Sequence, residues 1–394
     1  MTNHTYANIY TAFDKVDHNI LIRELGELNI KDPLLSWIES FLKKRKQAVK
    51  VENSISEPTA VLSGVPQGSV LGPILFIVIM NKINLETKRV RTGSFADDTR
   101  AWLGISNQQD SADMQEDLNR IYAWAESFNM RFNTKKFEAI TYGASGRAAN
   151  YLTPDGTPIP TKETVRDLGV LFQNNLKFDR HIATTTAKGH RMAGWALRTF
   201  KTRDTKTLLI LLKSLIISQC EYASIIWAPQ KRSQVNLLES VQKRFTSRFA
   251  CFQSVDEGAP QCNTSYPTRL QILGLYSMER RRERFAILYI YKIVINLTPN
   301  PGLTISYDPR RKTTVSPKII LRPTTAAWIR NAMNQSFLCV GPKLYNSLPA
   351  CLREIEDIGT PTKKHLNAFK LRLGNFLKTK EDVPGCHNNS LIQN

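Results

Sequence analysis

The chain has 394 residues, of which 42% are hydrophobic, and a formal net charge of +20. This length allows two or three domains with buried cores, and the hydrophobic content excludes an intrinsically disordered protein. The positive charge predicts a polyanionic partner, with nucleic acid as the first choice and a membrane surface as the second.

The charge is unevenly distributed along the chain. Residues 1–178 contain 21 Lys+Arg and 20 Asp+Glu, whereas residues 179–394 contain 33 Lys+Arg and 14 Asp+Glu. An enzyme that acts on nucleic acid can be divided in this way, with metal chemistry in a neutral part and backbone binding in a basic part. The alternative is a basic C-terminal half whose charge only keeps it soluble.

Cysteine usage and hydrophobic runs bear on the cellular compartment. None of the six cysteines forms a C-x-x-C pair, so we expect no zinc site and a reduced, intracellular protein. No signal peptide is recognisable, and the longest apolar run, Val70–Met80, is too short to span a bilayer. We therefore expect a protein of the nucleus or cytoplasm that is neither secreted nor membrane-bound.

Local patterns over the first 85 residues predict helices and a strand. Asp32 is placed as an N-cap, and Pro33 suits the first helical position. The predicted elements are helices over 20–30 and 33–42, a strand over 48–51, a loop over 63–69 and an apolar helix from 70 to about 85.

Two adjacent acids, Asp97 and Asp98, follow the apolar residues Phe95 and Ala96. The pattern predicts a short strand, a tight turn and a second strand. This geometry would present both carboxylates at the tip of a hairpin, as oxygen ligands for a hard divalent cation such as Mg²⁺. The alternative is an ordinary turn, in which Asp is common.

Beyond the acidic pair, the pattern changes from mixed to helical. We predict an amphipathic helix over 114–128, strands at 139–142 and 167–171, helices over 181–200, 205–220, 234–249, 278–295 and parts of 328–377, a loop-like stretch at 299–323 and a disordered tail from 379. The predicted fold class is α+β. The predicted divisions are an antiparallel sheet with helices over 1–178, a helical region over 179–255 and a basic, mainly helical region over 256–394.

Four segments occur in a fixed order that resembles the reverse transcriptase of non-LTR retrotransposons of the LINE-like, jockey or CR1 type. They are Ala12–His18, Ser63–Pro73 with its Pro-Gln-Gly loop, the Phe-Ala-Asp-Asp box at 95–98, and Asp167–Val170. The resemblance is strong over residues 5–200. It implies a polymerase palm over 1–178, a helical thumb over 179–255, and an RNA template, a DNA primer and deoxynucleoside triphosphates as partners.

The resemblance also implies a role for individual residues. Asp97 and Asp98 would hold two Mg²⁺ ions for phosphoryl transfer. Phe13 would lie under the incoming sugar, and Gln67 with Gly68 would lie against the nucleotide. From the residues alone, Phe13 could equally be a core aromatic, and the Gln67 loop could be a simple helix-entry turn.

Further roles concern the phosphates and the primer. Lys136 would contact the nucleotide phosphates, although an ordinary surface lysine is an open alternative. Leu168 and Gly169 would grip the primer, and the helices from 179 would hold the duplex backbone. We also expect a dense basic cluster on one predicted helix to contact the same backbone: Arg280, Arg281, Arg282 and Arg284.

The chain departs from the family pattern at one ligand position. The metal-bridging Asp lies five residues before the aromatic, and Asn8 stands there. An amide offers a neutral oxygen, and a loss of roughly 4 kcal/mol of transition-state stabilisation would slow the reaction by on the order of a thousandfold. The chain also starts at this motif, which predicts a truncated polymerase without most of the fingers.

Three hypotheses follow: an RNA-directed DNA polymerase with reduced or no activity, a non-catalytic nucleic-acid-binding relic, and an unstable remnant without a function of its own. A membrane-surface protein is a weaker alternative, because only the 278–295 helix could supply a basic amphipathic surface.

Overall fold

The computed structural model describes residues 2–8, 12–143, 150–252, 264–311, 314–320, 336–356 and 363–384. The chain forms two compact units. The first comprises residues 1–166 and 173–175, and the second comprises residues 167–172 and 176–394. The first unit has one hydrophobic core, and the second has two clusters of buried apolar residues.

The first unit mixes short strands with helices. In chain order its elements are β1 (Thr2–Asn8), α1 (Ala12–Lys15), α2 (His18–Glu27), α3 (Leu34–Leu42), β2 (Lys46–Gln47), β3 (Lys50–Val51), β4 (Ser54–Ile55), β5 (Thr59–Ala60), α4 (Leu71–Asn81), α5 (Ile83–Glu86), β6 (Arg91–Phe95), β7 (Asp98–Gly104), α6 (Gln108–Ser127) and β8 (Glu138–Tyr142).

Four of these strands form an antiparallel sheet in the order β6-β7-β1-β8. Side chains alternate between the two faces of a strand, and Thr5 lies between Ala101 and Ala139 on neighbouring strands. All three are buried, and both alanines belong to the hydrophobic core with residues of α6. One face of the sheet is therefore covered by helices.

Helix α4 explains the long apolar run in the sequence. Leu75, Phe76 and Ile79 are buried in the core of the first unit, whereas Ile74 and Ile77 are exposed. The run is thus a half-buried helix of 11 residues. Within the described residues, no helix combines the length and apolar character that crossing a membrane requires.

The chain passes between the two units through β9 (Thr164–Asp167) and β10 (Val170–Gln173). The second unit continues with α7 (Asp179–Thr199), α8 (Thr205–Leu211), a π-helical segment (Leu212–Ile217), α9 (Ser218–Glu221), α10 (Ser224–Trp227), α11 (Arg232–Thr246), α12 (Tyr266–Ile272), α13 (Met278–Val294), β11 (Thr304–Arg311), β12 (Thr314–Ile320), α14 (Phe337–Asn346), α15 (Ala350–Arg353), β13 (Ile355–Glu356) and α16 (Lys363–Lys378).

A glycine allows helices of the second unit to pack closely. A Cβ at Gly189 of α7 would lie 2.7 Å from Cys220 Sγ and 3.1 Å from a methyl group of Val241. Only hydrogen fits in this space, so α7 packs against α9 and α11 with little separation. The predicted α+β fold class is confirmed.

The structure corrects several local predictions. Leu168 and Gly169 form the turn between β9 and β10 and are not part of a strand. The stretch 299–323, predicted to be loop-like, contains the antiparallel strands β11 and β12. The composition of this stretch is rich in turn-forming residues and does not predict strands. Strand formation here depends on pairing between distant residues, which local composition does not show.

The predicted disordered tail lies mostly outside the described residues. In its first part, Asp382 accepts hydrogen bonds from the backbone N–H and the hydroxyl of Ser277, at 2.7 and 2.6 Å. The described start of the predicted tail is therefore bound to the second unit and is not disordered. Part of the predicted helical stretch 328–377 also lies outside the described residues, whereas α14, α15 and α16 account for the rest.

Candidate functional site

The acidic pair lies at the tip of a β-hairpin, as predicted. Phe95 at the end of β6 pairs with Asp98 at the start of β7, so Ala96 and Asp97 form the turn. Ala96 has a φ of +53°, a left-handed conformation that allows this tight turn. Asp98 is exposed and Asp97 is half-buried, so the tip presents acidic groups at the surface of the first unit.

The central strand β1 ends beside this tip. Asn8, its last residue, lies directly opposite Asp98 in the antiparallel register. Asp14 lies on α1, beyond the strand, so it does not take the place of residue 8 in the sheet. Asp97 and Asp98 supply carboxylate oxygens, which suit a hard cation such as Mg²⁺, whereas the residue at position 8 is a neutral asparagine.

Within the parts of the chain that the structure describes, no three His, Cys, Asp or Glu side chains are grouped as a metal site. The donor types fit Mg²⁺, and the count of carboxylates is one fewer than the resemblance leads us to expect.

The loop that precedes α4 is bound to the segment around α1. The backbone N–H of Gly64 donates to Val16 O at 2.8 Å, and that of Val65 donates to Phe13 O at 2.9 Å. Gly64 has a φ of +88°, and a Cβ at this position would lie 2.8 Å from the Cα of Asp14. Only glycine permits this close approach, which brings two sequence motifs together.

This contact places Gln67 next to α1. The Gln67 side-chain Nε2 donates a hydrogen bond of 2.9 Å to Asp14 Oδ1. Because a carboxylate can only accept, the Gln67 carbonyl oxygen must point away from Asp14. Gln67 and Gly68 are exposed, so the amide is both oriented and accessible. The sequence pattern alone does not indicate Asp14 as a partner of this loop.

The ring of Phe13 packs against the core on one side and is partly exposed on the other. Its ring stacks on Phe76 of α4, with centroids 4.2 Å apart and an interplanar angle of 18°. The ring is half-buried and packs against the hydrophobic core. The core interpretation of Phe13 is therefore correct in part, and the packing fixes the orientation of the ring.

Three further predicted residues lie in turns. Lys136 is exposed and ends a 3₁₀ turn (Thr134–Lys136) that contacts β1. Leu168 and Gly169 have φ values of +44° and +85°. The hydroxyl of Tyr222 donates to Leu168 O at 2.9 Å, and its ring would be 3.3 Å from a Cβ at Gly169. This turn is thus held within the second unit.

The assignment of the arginine cluster to the nucleic-acid backbone was wrong. Arg280 and Arg282 are 1% and 5% exposed. Arg280 donates to Glu283 at 3.1 Å and to the backbone oxygen of Glu381 at 2.9 Å, and Arg281 is paired with Glu221. Arg284 is half-buried on the same helix. Arg280 and Arg282 are therefore buried away from phosphates, and Arg281 is engaged by Glu221 within the second unit.

The second unit exposes positive charge elsewhere, on α7. Lys188, Arg191 and Arg198 are exposed, and Trp195 between them is 46% exposed. Their spacing of three and four residues places them on one helical face. This spacing is visible in the sequence, but local density favoured the arginine cluster at 280–284. We call these four residues the basic face of α7.

A family model described as reverse transcriptase (RNA-dependent DNA polymerase) matches residues 5–172. A probable RNA-directed DNA polymerase from transposon X-element of Drosophila melanogaster is 25% identical over 251 residues, which cover 61% of this chain and 27% of that protein. The RNA-directed DNA polymerase from the mobile element jockey of Drosophila melanogaster is 26% identical over 267 residues, which cover 64% of this chain and 29% of that protein.

The chain thus spans less than a third of the length of these curated relatives. Among solved structures, telomerase from Candida albicans with a fragment of telomeric RNA aligns with 64% of this chain and 49% of its own, at 12% identity and a TM-score of 0.35. The family match and the curated relatives agree with the motifs, and the chain contains a reverse transcriptase domain of a LINE-like retrotransposon.

Proposed function

We propose that the first unit is the catalytic part of an RNA-directed DNA polymerase, which adds deoxynucleotides to a primer on an RNA template. The observation that carries this proposal is the acidic hairpin tip beside the end of β1, with residue 8 opposite Asp98. Asp97 and Asp98 would hold Mg²⁺, which supplies charge stabilisation for the attacking and leaving oxygens when it is bound.

The nucleotide would be positioned by the loop and α1. Stacking on Phe76 fixes the ring of Phe13, so its free edge and face can limit the space beside the sugar. Asp14 orients the Gln67 amide, so that its carbonyl oxygen is directed outward as an acceptor. Lys136, which is exposed beside β1, would contact the phosphates.

The second unit would bind the template–primer duplex. The basic face of α7 offers three cations to phosphates, and Trp195 offers an aromatic surface between them. Leu168 and Gly169 would contact the primer backbone from the turn that Tyr222 holds. These contacts do not depend on metal ions.

A second candidate function is nucleic-acid binding without catalysis. Asn8 favours it, because the amide leaves only two carboxylates at the metal position. A polymerase that has lost this charge would keep the exposed basic face of α7. The two functions differ in whether restoring the carboxylate restores nucleotide addition.

The test is primer extension on an RNA template, with Mg²⁺ and with Mn²⁺, by wild type, Asn8→Asp and the double variant Asn8→Asp with Asp97→Asn. We expect extension by Asn8→Asp to be roughly a thousandfold faster than by wild type, which corresponds to about 4 kcal/mol. The double variant should lose this gain, because it again has only two anionic ligands.

Duplex binding measured over a range of salt concentrations completes the test. Binding that weakens with salt, together with no extension by any variant, would replace the polymerase proposal with the non-catalytic one. Absence of both binding and extension in folded protein would reject both.

A further inference from the structure

The first unit contains one concentrated run of positive charge. Residues 43–50 include five Lys or Arg and no acidic residue. Residues 1–178 contain 21 Lys+Arg and 20 Asp+Glu, so the remainder of this part is net negative without the run. The positive charge of the first unit is thus localised and does not belong to a uniformly basic surface.

Residues 44–50 of this run lead into and form one side of a two-stranded ribbon, and we call residues 44–61 the basic ribbon. Val61 N–H donates to Arg45 O at 2.9 Å, and Ser56 N–H donates to Val49 O at 2.9 Å. The pairs β2–β5 and β3–β4 complete it. All four of these strands are exposed along their whole length.

The cations of the run divide into anchoring and exposed groups. Lys43 pairs with Glu39 at 2.6 Å. Arg45 is half-buried, and its guanidinium donates to Leu42 O at 2.9 Å and to Gly64 O at 3.0 Å. Lys44, Lys46 and Lys50 are exposed, and no carboxylate in the described part of the chain pairs with them.

The anchor connects the basic ribbon to the candidate site. Gly64 O accepts from Arg45 and also lies 2.8 Å from His18 Nε2. Gly64 begins the loop that carries Gln67, and the same glycine contacts the segment of Phe13 and Asp14. The exposed lysines therefore lie on an element whose base is bonded directly to the nucleotide loop.

The exposed apolar side chains of the ribbon indicate the kind of partner. Val49, Val51 and Ile55 are 66%, 65% and 67% exposed beside the lysines. A ribbon without a packed face is only marginally stable alone, so a partner that covers these side chains would stabilise it. An unpaired nucleic-acid strand offers phosphates to the lysines and apolar base surfaces to the valines, whereas a duplex hides its base faces.

We propose that the basic ribbon binds a single strand of nucleic acid next to the nucleotide loop, with Lys44, Lys46 and Lys50 contacting its phosphates. This proposal rests on the proposed polymerase function, because it places the bound strand beside Gln67. It assigns to the first unit a binding surface separate from the basic face of α7.

The test measures binding of single-stranded RNA, single-stranded DNA and duplex by the full chain over a range of salt concentrations. The ribbon variant carries Lys44→Gln, Lys46→Gln and Lys50→Gln. The matched control replaces three exposed lysines elsewhere on the first unit: Lys31→Gln, Lys88→Gln and Lys162→Gln. Both variants lose the same net charge. Circular dichroism and the thermal unfolding midpoint verify that both are folded.

For single strands, the slope of log affinity against log salt should fall in magnitude by about 2 in the ribbon variant, since each lost phosphate contact removes about 0.7. The control should keep the wild-type slope. Equal salt slopes in the ribbon variant and the control would overturn the proposal. So would a ribbon variant in which only duplex binding changes, or one that loses binding to anionic lipid vesicles but keeps binding to RNA. Wild-type protein that binds no nucleic acid would instead refute the proposed function.

Discussion

Asp117 shows how one buried side chain positions the acidic hairpin. It is fully buried on α6 and accepts hydrogen bonds from the backbone N–H groups of Lys88, Arg89 and Val90, at 2.8 to 3.1 Å. Burial alone would raise the pKa of Asp117, but these bonds and Arg120 hold it below its ordinary value. The chain that enters β6 is thereby fixed to α6.

Asp117→Asn should lower the free energy of unfolding by about 2–4 kcal/mol at pH 7, because the amide NH₂ group cannot accept from buried N–H donors. Urea unfolding measures this loss, and Glu126→Gln, an exposed change on the same helix, is the control. A loss no larger than in the control would contradict the role of Asp117.

The same carboxylate predicts a pH effect in wild type. A folded-state pKa below the ordinary value stabilises the fold above that value, so this contribution should disappear as the pH falls below about 4. Asp117→Asn should lack this part of the acid sensitivity. Parallel acid titrations of wild type and variant, followed by circular dichroism, test this expectation.

At the scale of elements, the loop at 63–70 is packed tightly against α1. Both Gly64 and Gly68 have positive φ, at +88° and +78°. A Cβ at Gly64 would meet the backbone of Asp14 at 2.8 Å, whereas a Cβ at Gly68 would have nothing within 4 Å. Replacing Gly68 by Ala would therefore cost only the free energy of the left-handed backbone conformation. Replacing Gly64 by Ala would add the cost of a steric clash.

We expect Gly68→Ala to lose about 1–2 kcal/mol of stability, which is the cost of the left-handed conformation alone. Gly64→Ala should lose clearly more, because the loop must also move away from α1. Thermal unfolding of both variants gives the comparison. Equal losses would show that the contact between the loop and α1 is not tight.

Two basic helices illustrate why the burial of a helix must be known before its charged side chains are assigned to nucleic-acid binding. Helix α13 has the higher local density of arginine, yet Arg280 and Arg282 are buried within the second unit. Helix α7 has fewer cations in sequence, but Lys188, Arg191 and Arg198 share its exposed face. Exposure and not density decides which helix can contact phosphates.

At the scale of the whole molecule, a buried carboxyl group joins three helices of the second unit. Glu239 of α11 accepts hydrogen bonds from the hydroxyl of Tyr266 on α12 and from the backbone N–H of Met278, at the start of α13. Burial raises the pKa of Glu239 to about 7, although these bonds and the nearby Arg282 favour its charged form.

This raised pKa predicts that stability falls with increasing pH. Between about pH 4.5 and 7, the folded state retains a proton that the unfolded state has released, so the Glu239 contribution to unfolding free energy should decline by about 3 kcal/mol. Glu239→Gln should remove this decline, because the amide does not titrate.

Urea unfolding at pH 5 and pH 8, followed by hydrogen exchange in α11 and α13, measures the effect in the second unit. Glu381→Gln, a change at an exposed residue of the same unit, is the control and should keep the wild-type pH dependence. A pH dependence in Glu239→Gln equal to that of wild type would contradict the assigned origin.

The amino-acid sequence by itself determined the features that depend on neighbouring residues. The acidic hairpin at 95–98, the amphipathic α6 and the apolar α4 follow from turn chemistry and side-chain periodicity, which act over a few residues. The fixed order of motifs was also enough to identify the reverse transcriptase family.

Only the tertiary structure decided which distant residues meet. It pairs Asn8 with Asp98, holds Gln67 through Asp14 across 53 positions of sequence, and buries Arg280. It also revealed strands β11 and β12 in a stretch that looked like a loop. Periodicity states which residues share a face, but burial and long-range pairing depend on what packs against that face.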